Sequence, residues 1–235
     1  LQKLCTANIK NEIGKTTYTH MLNEDGGIET DLTVVCVDKN YFRIVSSAAT
    51  REHDKYHILK YLDKDVEFSD VTEEFCCLGL FGPKSREMIS KICKDDFSNE
   101  NFKFGTGKFI NILDLNTPWG KPKEIKVWVQ RLSYVGEIGF ELYVDSSSAK
   151  DLYEILIEEG KNFELSHCGM HAMDIMRMES GFVHWGHDIS PEENQYQAGL
   201  SFTISNKKDV DFIGKSALKN IDQEKIKTRF AMFTL

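Results

Sequence analysis

Residues 21–37 read MLNEDGGIETDLTVVCV. Asn23-Glu24-Asp25-Gly26-Gly27 is a turn signal: glycine adopts backbone angles closed to other residues, and Asn and Asp bond their own backbone. Residues 31–37 after it are β-branched and apolar, the character of a strand, and residues 16–22 before it share that character. Asp38-Lys39-Asn40 turns again and residues 41–45 run back. The chain therefore opens as a meander of antiparallel strands.

Working outward, residues 50–62 turn helical, with Tyr56, Leu59 and Leu62 three apart and charges between them. Residues 66–80 read as two further strands. Gly82-Pro83 opens a helix through Ile89 and Ile92, because a proline's missing N–H does no harm at an early helical position. Residues 102–112 are mixed and residues 116–120 a loop. Residues 126–131 and 140–144 are the arms of a hairpin, with Gly136 and Gly139 between them. Ser146-Ser147-Ser148 can cap a helix through Leu152, Ile155 and Leu156. A second helix lies within residues 164–179, ended by Gly181. An irregular polar stretch covers 184–197, a last strand 199–204, and Asp211-Phe212-Ile213-Gly214-Lys215 leads into a short helix at 216–219. Strands and helices alternate without βαβ regularity, so the fold class is α+β.

The chain of 235 residues is 41% hydrophobic and 28% charged, enough for a core that needs no staples. Its net charge of −8 argues against a nucleic-acid partner, which would call for a basic field. No run approaches the length of a membrane helix, and no signal segment opens the chain. It begins Leu1-Gln2-Lys3, which predicts a piece of something longer. The 6 cysteines, at positions 5, 36, 76, 77, 93 and 168, form no Cys-x-x-Cys pair. They read as reduced, buried thiols, and no metal site is expected. Cytoplasm and mitochondrial matrix both fit such a chain.

Several segments carry residue types that local structure alone does not require. Asp31 follows the glycine pair at the start of an apolar strand. Glu141, in Tyr134-Val135-Gly136-Glu137-Ile138-Gly139-Phe140-Glu141-Leu142, alternates onto the face opposite Phe140 and Leu142. On a pocket wall, its carboxylate would accept two hydrogen bonds from a flat heterocycle with adjacent N–H donors. Arg177 sits among methionines with Asp174 one turn before it. Trp185, in His184-Trp185-Gly186-His187-Asp188-Ile189, offers a ring to stack on a planar ligand. Each also has a plain structural reading: a solvated turn carboxylate, a polar outer face, an exposed intrahelical ion pair, and a core-capping tryptophan.

Taken in order, these segments resemble the folate-binding family of the glycine-cleavage T-protein. The resemblance rests on Leu4-Cys5-Thr6-Ala7-Asn8-Ile9, the stretch from Met21 to Asp31, and Leu80-Phe81-Gly82-Pro83-Lys84-Ser85. It continues through residues 132–142, Arg177-Met178-Glu179-Ser180-Gly181, Trp185-Gly186-His187-Asp188-Ile189-Ser190-Pro191 and Asp211-Phe212-Ile213-Gly214-Lys215. The wording of the first and of the Trp-Gly-His-Asp segment is nearer the C-terminal half of dimethylglycine and sarcosine dehydrogenases.

The resemblance implies intertwined α+β subdomains, one from residues 1–50 with 146–235 and the other from 51–145. In full-length members a β-barrel follows, and Leu235 lies where it would begin; the family's first strands are also lacking. It implies tetrahydrofolate as cofactor and one-carbon transfer from dimethylglycine, sarcosine or an aminomethyl-lipoyl protein, giving 5,10-methylenetetrahydrofolate. Asp31 would lie at the reacting nitrogens with Tyr134 close by, while Glu141 anchors the pterin and Arg177 supports the same site. FAD enters only with an oxidase half upstream, because no dinucleotide fingerprint is present. The family also holds non-catalytic regulatory members and folate-dependent sulfonium demethylases.

Overall fold

The computed structural model describes residues 1–10, 12–114 and 123–233. The chain divides into two compact units, residues 1–70 with 183–235 and residues 71–182.

The first unit is built on a sheet of β1 (Thr16–Leu22), β2 (Ile28–Asp38) and β3 (Tyr41–Ser46), antiparallel in the order β1-β2-β3. This is the meander read from the sequence. The β1–β2 turn is held by Asn23, whose Oδ1 accepts from the amides of Asp25 (3.1 Å) and Gly27 (2.9 Å). The register then slips: Leu22 faces Ile28, Met21 faces Thr30, and His20 faces Asp31. Glu29 is thus the extra residue of a β-bulge.

Both faces of this sheet are covered. Met21, Leu32 and Val34 pack with Leu4, Cys5, Ala7, Ile9 and Ile58. Leu22 and Ile28 pack with Val183, Ile189, Ala198, Leu200, Phe212 and Leu218. Ile58 belongs to α1 (Arg51–Lys60), and Leu218 to the short α5 (Lys215–Lys219). The returning chain is tied back to the start by Ser205 N–H to Thr6 C=O (3.0 Å) and Ile213 N–H to Lys3 C=O (3.1 Å).

The second unit is a sheet in the order β4-β7-β6-β5, all neighbours antiparallel: β4 (Phe75–Phe81), β5 (Gly107–Asp114), β6 (Lys123–Gln130) and β7 (Gly139–Asp145). Period-two alternation sends Ile125, Val127, Val129, Phe140, Leu142 and Val144 to one face, against α2 (Ser85–Ile92) and α3 (Ala149–Gly160). Met88, Ile89, Leu152 and Leu156 from those helices close that core. Each such side chain, fully buried, contributes about 1.5–3 kcal/mol. A last helix, α4 (Met170–Glu179), ends before Gly181.

By compactness the chain divides at 70/71 and 182/183, whereas the subdomains expected from the resemblance were 1–50 with 146–235 and 51–145. The reason is packing: α1 buries Ile58 in the first unit's core, and α3 buries Leu152 and Leu156 in the second's. Of the two strands expected in residues 66–80, only β4 forms. The segment before it is held by side chains instead, with Phe68 against the first core and Asp70 bound to Arg51 Nε (2.9 Å). The strand expected at 199–204 is a 3₁₀ turn (Ser201–Thr203), closed by the Thr203 hydroxyl donating to Leu200 C=O (2.7 Å). The three serines at 146–148 form a 3₁₀ turn themselves, capped by Asp145. The loop expected at 116–120 lies outside the described residues.

The bulge leaves little room. A Cβ on Gly27 would fall 1.8 Å from the Pro191 carbonyl oxygen. Gly27→Ala is therefore expected to destabilise the chain by about 1–3 kcal/mol, the range for overpacking. Urea unfolding measures this; an unchanged midpoint would mean that the Pro191 segment moves aside at no cost.

Candidate active site

Asp31 lies in β2, half-buried, directly across from His20 of β1. Side chains facing each other across an antiparallel pair share a face, and Tyr18, two residues before His20, shares it too. The Tyr18 hydroxyl donates to Asp31 Oδ2 (3.1 Å) and meets His20 Nε2 at 3.2 Å. Burial pushes the Asp31 carboxyl up to about 6; the Tyr18 hydrogen bond opposes the shift and nearby Asp54 adds to it. Burial likewise pushes His20 down to about 3, so its ring is neutral at ordinary pH.

Around Asp31 the unit is rich in carboxylates. His53 of α1 bridges Glu29 (Nε2 to Oε1, 3.0 Å) and Asp54 (Nδ1 to Oδ1, 3.2 Å). Asp54, buried in the helix, also accepts from the Thr50 hydroxyl (2.7 Å). Trp185 lies against the His53 ring, with centroids 5.4 Å apart, and donates its indole N–H to Ile28 C=O (2.8 Å). That bond pins the 184–193 segment to the bulge, beside the Ile28 N–H bond to Glu193 C=O (2.9 Å).

In the second unit, Glu141 of β7 stands on the face opposite Phe140 and Leu142, half-buried. Its Oε2 accepts from the Tyr143 hydroxyl (2.7 Å) and from Gln130 Nε2 (3.2 Å), which leaves Oε1 for a ligand. Burial raises the Glu141 carboxyl, while the Tyr143 bond lowers it. Burial also drives the Tyr143 phenol far up, so Tyr143 remains a donor. Gln130 Oε1 and Trp128 Nε1, on the same face of β6, are buried without a hydrogen-bond partner. The unmatched Gln130 Oε1, directly across the ladder from Glu141, suits a heterocycle edge carrying an N–H donor.

Tyr134 and Arg177 meet elsewhere in this unit. The Tyr134 ring stacks on Phe182 (centroids 6.2 Å apart), whose carbonyl accepts from Arg177 Nη1 (3.1 Å). Arg177 is buried and binds Asp174 through Nε (2.8 Å) and Nη2 (2.7 Å). The intrahelical pair read from the sequence thus forms, with its cationic end inside and Asp174 exposed. Gly136, at φ 74°, lies so near α4's end that a Cβ would fall 2.0 Å from Ser180 Oγ. The structure therefore gathers Asp31 and Trp185 in the first unit, and Tyr134, Glu141 and Arg177 in the second.

Sequence reasoning passed over Tyr18, His20, His53, Asp54, Gln130 and Tyr143. Three had a usable signal: Tyr18 and His20 are polar alternate residues on the strand partnering Asp31. Gln130 ends the run Val127-Trp128-Val129, where a polar side chain at a buried position already stands out.

The raised carboxyl of Asp31 has a stability consequence. Between its ordinary value of 3.8 and about 6, the native state holds a proton that the unfolded chain has lost, so stability falls as pH rises through that window. Above it, the ionised form costs about 3 kcal/mol, at 1.36 kcal/mol per pH unit. Asp31→Asn should thus gain stability over the wild type at pH 7.5 and lose the advantage at pH 4. Urea midpoints of both proteins at the two pH values check this; a difference independent of pH would rule out the buried-carboxyl account.

Comparison with known proteins places these features in a family. The GCVT N-terminal domain matches residues 1–208. The chain is 36% identical over 222 residues to 4-methylaminobutanoate oxidase (formaldehyde-forming) of Paenarthrobacter nicotinovorans, covering 94% of this chain and 26% of that protein. It is 32% identical over 232 residues to human mitochondrial dimethylglycine dehydrogenase, covering 97% and 26%. It is 36% identical over 224 residues to an aminomethyltransferase of Oceanobacillus iheyensis, covering 94% and 58%. The chain thus spans about a quarter of the first two relatives and over half of the third. The crystal structure of glycine cleavage system aminomethyltransferase T from Bartonella henselae shares its fold, with a TM-score of 0.74 at 23% identity over 93% of this chain and 56% of that one. With the family domain matched from residue 1 to residue 208 and the same fold in a solved aminomethyltransferase, the chain belongs to the GCVT, or glycine-cleavage T-protein, family.

Proposed function

We propose that this chain is a tetrahydrofolate-dependent one-carbon transfer module. It takes an aminomethyl or methylene unit from an amine such as dimethylglycine, sarcosine or an aminomethyl-lipoyl protein and yields 5,10-methylenetetrahydrofolate. The observation that carries this reading is Asp31: a half-buried carboxylate, oriented by Tyr18 and poised near neutral pH, in a chain of this family. Tetrahydrofolate, when bound, supplies the nitrogen nucleophiles that take up the carbon. Ionised Asp31 stabilises positive charge on the incoming one-carbon unit and accepts a proton as the new bond forms. A carboxyl with its midpoint near 6 is charged often enough to do the first and basic enough to do the second.

Glu141 and Gln130 would hold the pterin edge. The unmatched Gln130 Oε1 supports that assignment, because a ligand edge with adjacent N–H donors satisfies it together with Glu141 Oε1. Arg177 and Tyr134 take supporting places: Arg177 braces the end of α4 at Phe182, and Tyr134 presents its ring there. Trp185 would offer an aromatic wall in the first unit. An upstream FAD oxidase half or a lipoyl carrier protein would deliver the carbon; the oxidase and dehydrogenase relatives, of which this chain matches about a quarter, favour the former. The mitochondrial dimethylglycine dehydrogenases among the relatives make the matrix a compartment to test, with the cytoplasm as the other.

Calorimetric titration with tetrahydrofolate tests the binding half. Glu141→Ala should weaken affinity by about 1.5–3 kcal/mol, the range for a hydrogen bond to a charged group. Unaltered affinity would remove Glu141 from the pterin site. Asp31→Asn should keep folate affinity while transfer falls by about a hundredfold or more. Transfer is followed as 5,10-methylenetetrahydrofolate formed from aminomethyl-lipoyl protein, or from dimethylglycine or sarcosine with an FAD oxidase supplied. Saturable binding with no turnover from any donor would favour a non-catalytic folate-binding domain. Turnover with a sulfonium donor alone would favour a demethylase.

A further inference from the structure

We propose that Arg86 and Arg131 form a binding site for a phosphate-class oxyanion on the second unit, where the side chain of Asn99 lies between their guanidinium groups. The site stands apart from the proposed folate chemistry and does not depend on it.

Three segments converge there. Arg86 is the second residue of α2, Asn99 sits in the connection between α2 and β5, and Arg131 directly follows β6. Arg86 Nη2 (2.8 Å) and Arg131 Nη2 (2.7 Å) both donate to Asn99 Oδ1. Arg131 Nη1 also donates to Phe102 C=O (2.5 Å). The backbone around these groups is fixed. Arg131 N–H bonds to Thr106 C=O (2.8 Å), and Gly105 N–H to Arg131 C=O (3.1 Å). Asp96 accepts from Ser98 N–H and from Asn101 Nδ2, each at 2.7 Å, which shapes the turn carrying Asn99. Side chains alternate along a strand, which puts Arg131 on the side opposite Gln130 and Glu141; its bond to Phe102, a core residue, agrees.

The charges do not balance within the chain. Two guanidinium ions bonded to one oxygen lie within a few ångströms of each other and repel. A neutral amide oxygen does not offset two positive charges, and among the described residues neither arginine makes an ion pair with a carboxylate. The acids of the region are engaged elsewhere: Asp95 with Lys108 (3.1 Å), and Asp96 in the turn of Asn99. Glu87 and Glu100, beside Arg86 and Asn99 in sequence, are exposed and pair with neither guanidinium. Both arginines are half-buried, and the Arg86 Nε–H is buried without a hydrogen-bond partner. Burial, and after it the charge of Arg86, lowers the Arg131 guanidinium from its ordinary value.

Such a pair suits an oxyanion. Arginine presents its N–H donors in a planar fork, and most of those on Arg86 and Arg131 are uncommitted. Guanidinium binds phosphate bidentately, with a Coulomb attraction that a neutral amide lacks. Two cations match two negative charges, which a phosphate or a phosphate monoester carries and a single carboxylate does not. Asn99 serves the same ligand: with its amide turned over, Nδ2 donates to the anion in place of Oδ1. The bonds to Asn99 are exposed, so an ion reaches them from solvent.

The test is titration of the whole chain with inorganic phosphate at constant ionic strength, chloride making up the balance, followed by ¹⁵N NMR of the arginine Nε–H groups. The expected result is that the Arg86 and Arg131 signals shift together and saturate with one affinity. Signals that do not move, or that drift without saturating, overturn the site. Arg86→Gln should weaken the affinity read from Arg131 by about tenfold or more, the loss expected for a hydrogen bond to a charged group; an unchanged affinity also overturns it. Asn99→Asp puts a carboxylate between the guanidiniums. Its urea midpoint in chloride alone should exceed that of the wild type, and its arginine signals should no longer respond to phosphate. A wild-type midpoint with the phosphate response intact counts against the site independently of Arg86→Gln. Glycerol phosphate, titrated in parallel, separates the sources: tighter binding than inorganic phosphate assigns the site to an organic monoester, and binding no tighter assigns it to the free ion.

Discussion

The one-residue slip of the β1–β2 ladder at Glu29 governs what the first unit can do. Side chains in a strand alternate between faces, so a slip of one residue exchanges every inward position for an outward one. With the bulge in place, Asp31 faces His20, and Met21, Leu32 and Val34 share the opposite, apolar face. Without it, Asp31 would be driven in among Leu4, Cys5 and Ile58, and Thr30 would stand opposite His20. The turn at Asn23, the contact of Gly27 with Pro191, and the bonds from Ile28 to Glu193 and Trp185 all act within a few residues of that slip. The loop segment from His184 onwards is thus part of what sets the register, as well as a source of an aromatic side chain.

Desolvation is the common cause behind both carboxylates. Asp31 and Glu141 stand on sheets whose opposite faces are packed apolar cores, and each is half-buried on the remaining face. In each case a tyrosine hydroxyl supplies the compensating hydrogen bond: Tyr18 for Asp31 and Tyr143 for Glu141. One neutral donor only partly offsets the loss of water around an anion, so both carboxyls remain raised. The difference lies in the neighbours. Asp54 adds negative charge near Asp31, which favours a group that takes up and releases a proton. Gln130 and Tyr143 set uncharged polar groups against Glu141, which favours holding a neutral ring edge.

Much of the fold was legible because its signals are local. The meander, α1, α2, the β6–β7 pair, and the helix ending before Gly181 all follow from periodicity and from turn residues. The misreadings share a feature. Residues 66–74 and 199–204 carry β-branched and aromatic side chains that suit a strand, yet Phe68 and Thr203 serve the packing and bonding of distant segments instead. Strand propensity records fit to a half-buried surface, which a core of another shape also offers. The site was legible in part for a related reason. Asp31 stood out after a glycine pair at the head of an apolar strand, Glu141 between two glycines and an apolar run, and Arg177 among methionines, whereas Tyr143 blends into ordinary strand composition and the alternation of Tyr18 and His20 gains meaning only once β1 is known to pair with Asp31.

The sequence by itself determined the α+β class, the hairpin around Asn23 and Gly27, the face of Glu141, and the family, because these depend on residue types at short spacing and on ordered motifs. Only the tertiary structure decided where the two units divide, that α1 joins the first and α3 the second, and that Asp31 answers to Tyr18, His20 and Asp54. Those outcomes depend on which apolar surfaces meet and on a one-residue slip in a ladder. Burial and register are properties of contacts between segments far apart in the chain: Thr203 lies 183 residues from the ring it faces. No local pattern records such a partner, and it is the partner, through the water it excludes and the proton it shares, that sets the chemistry of the carboxylate.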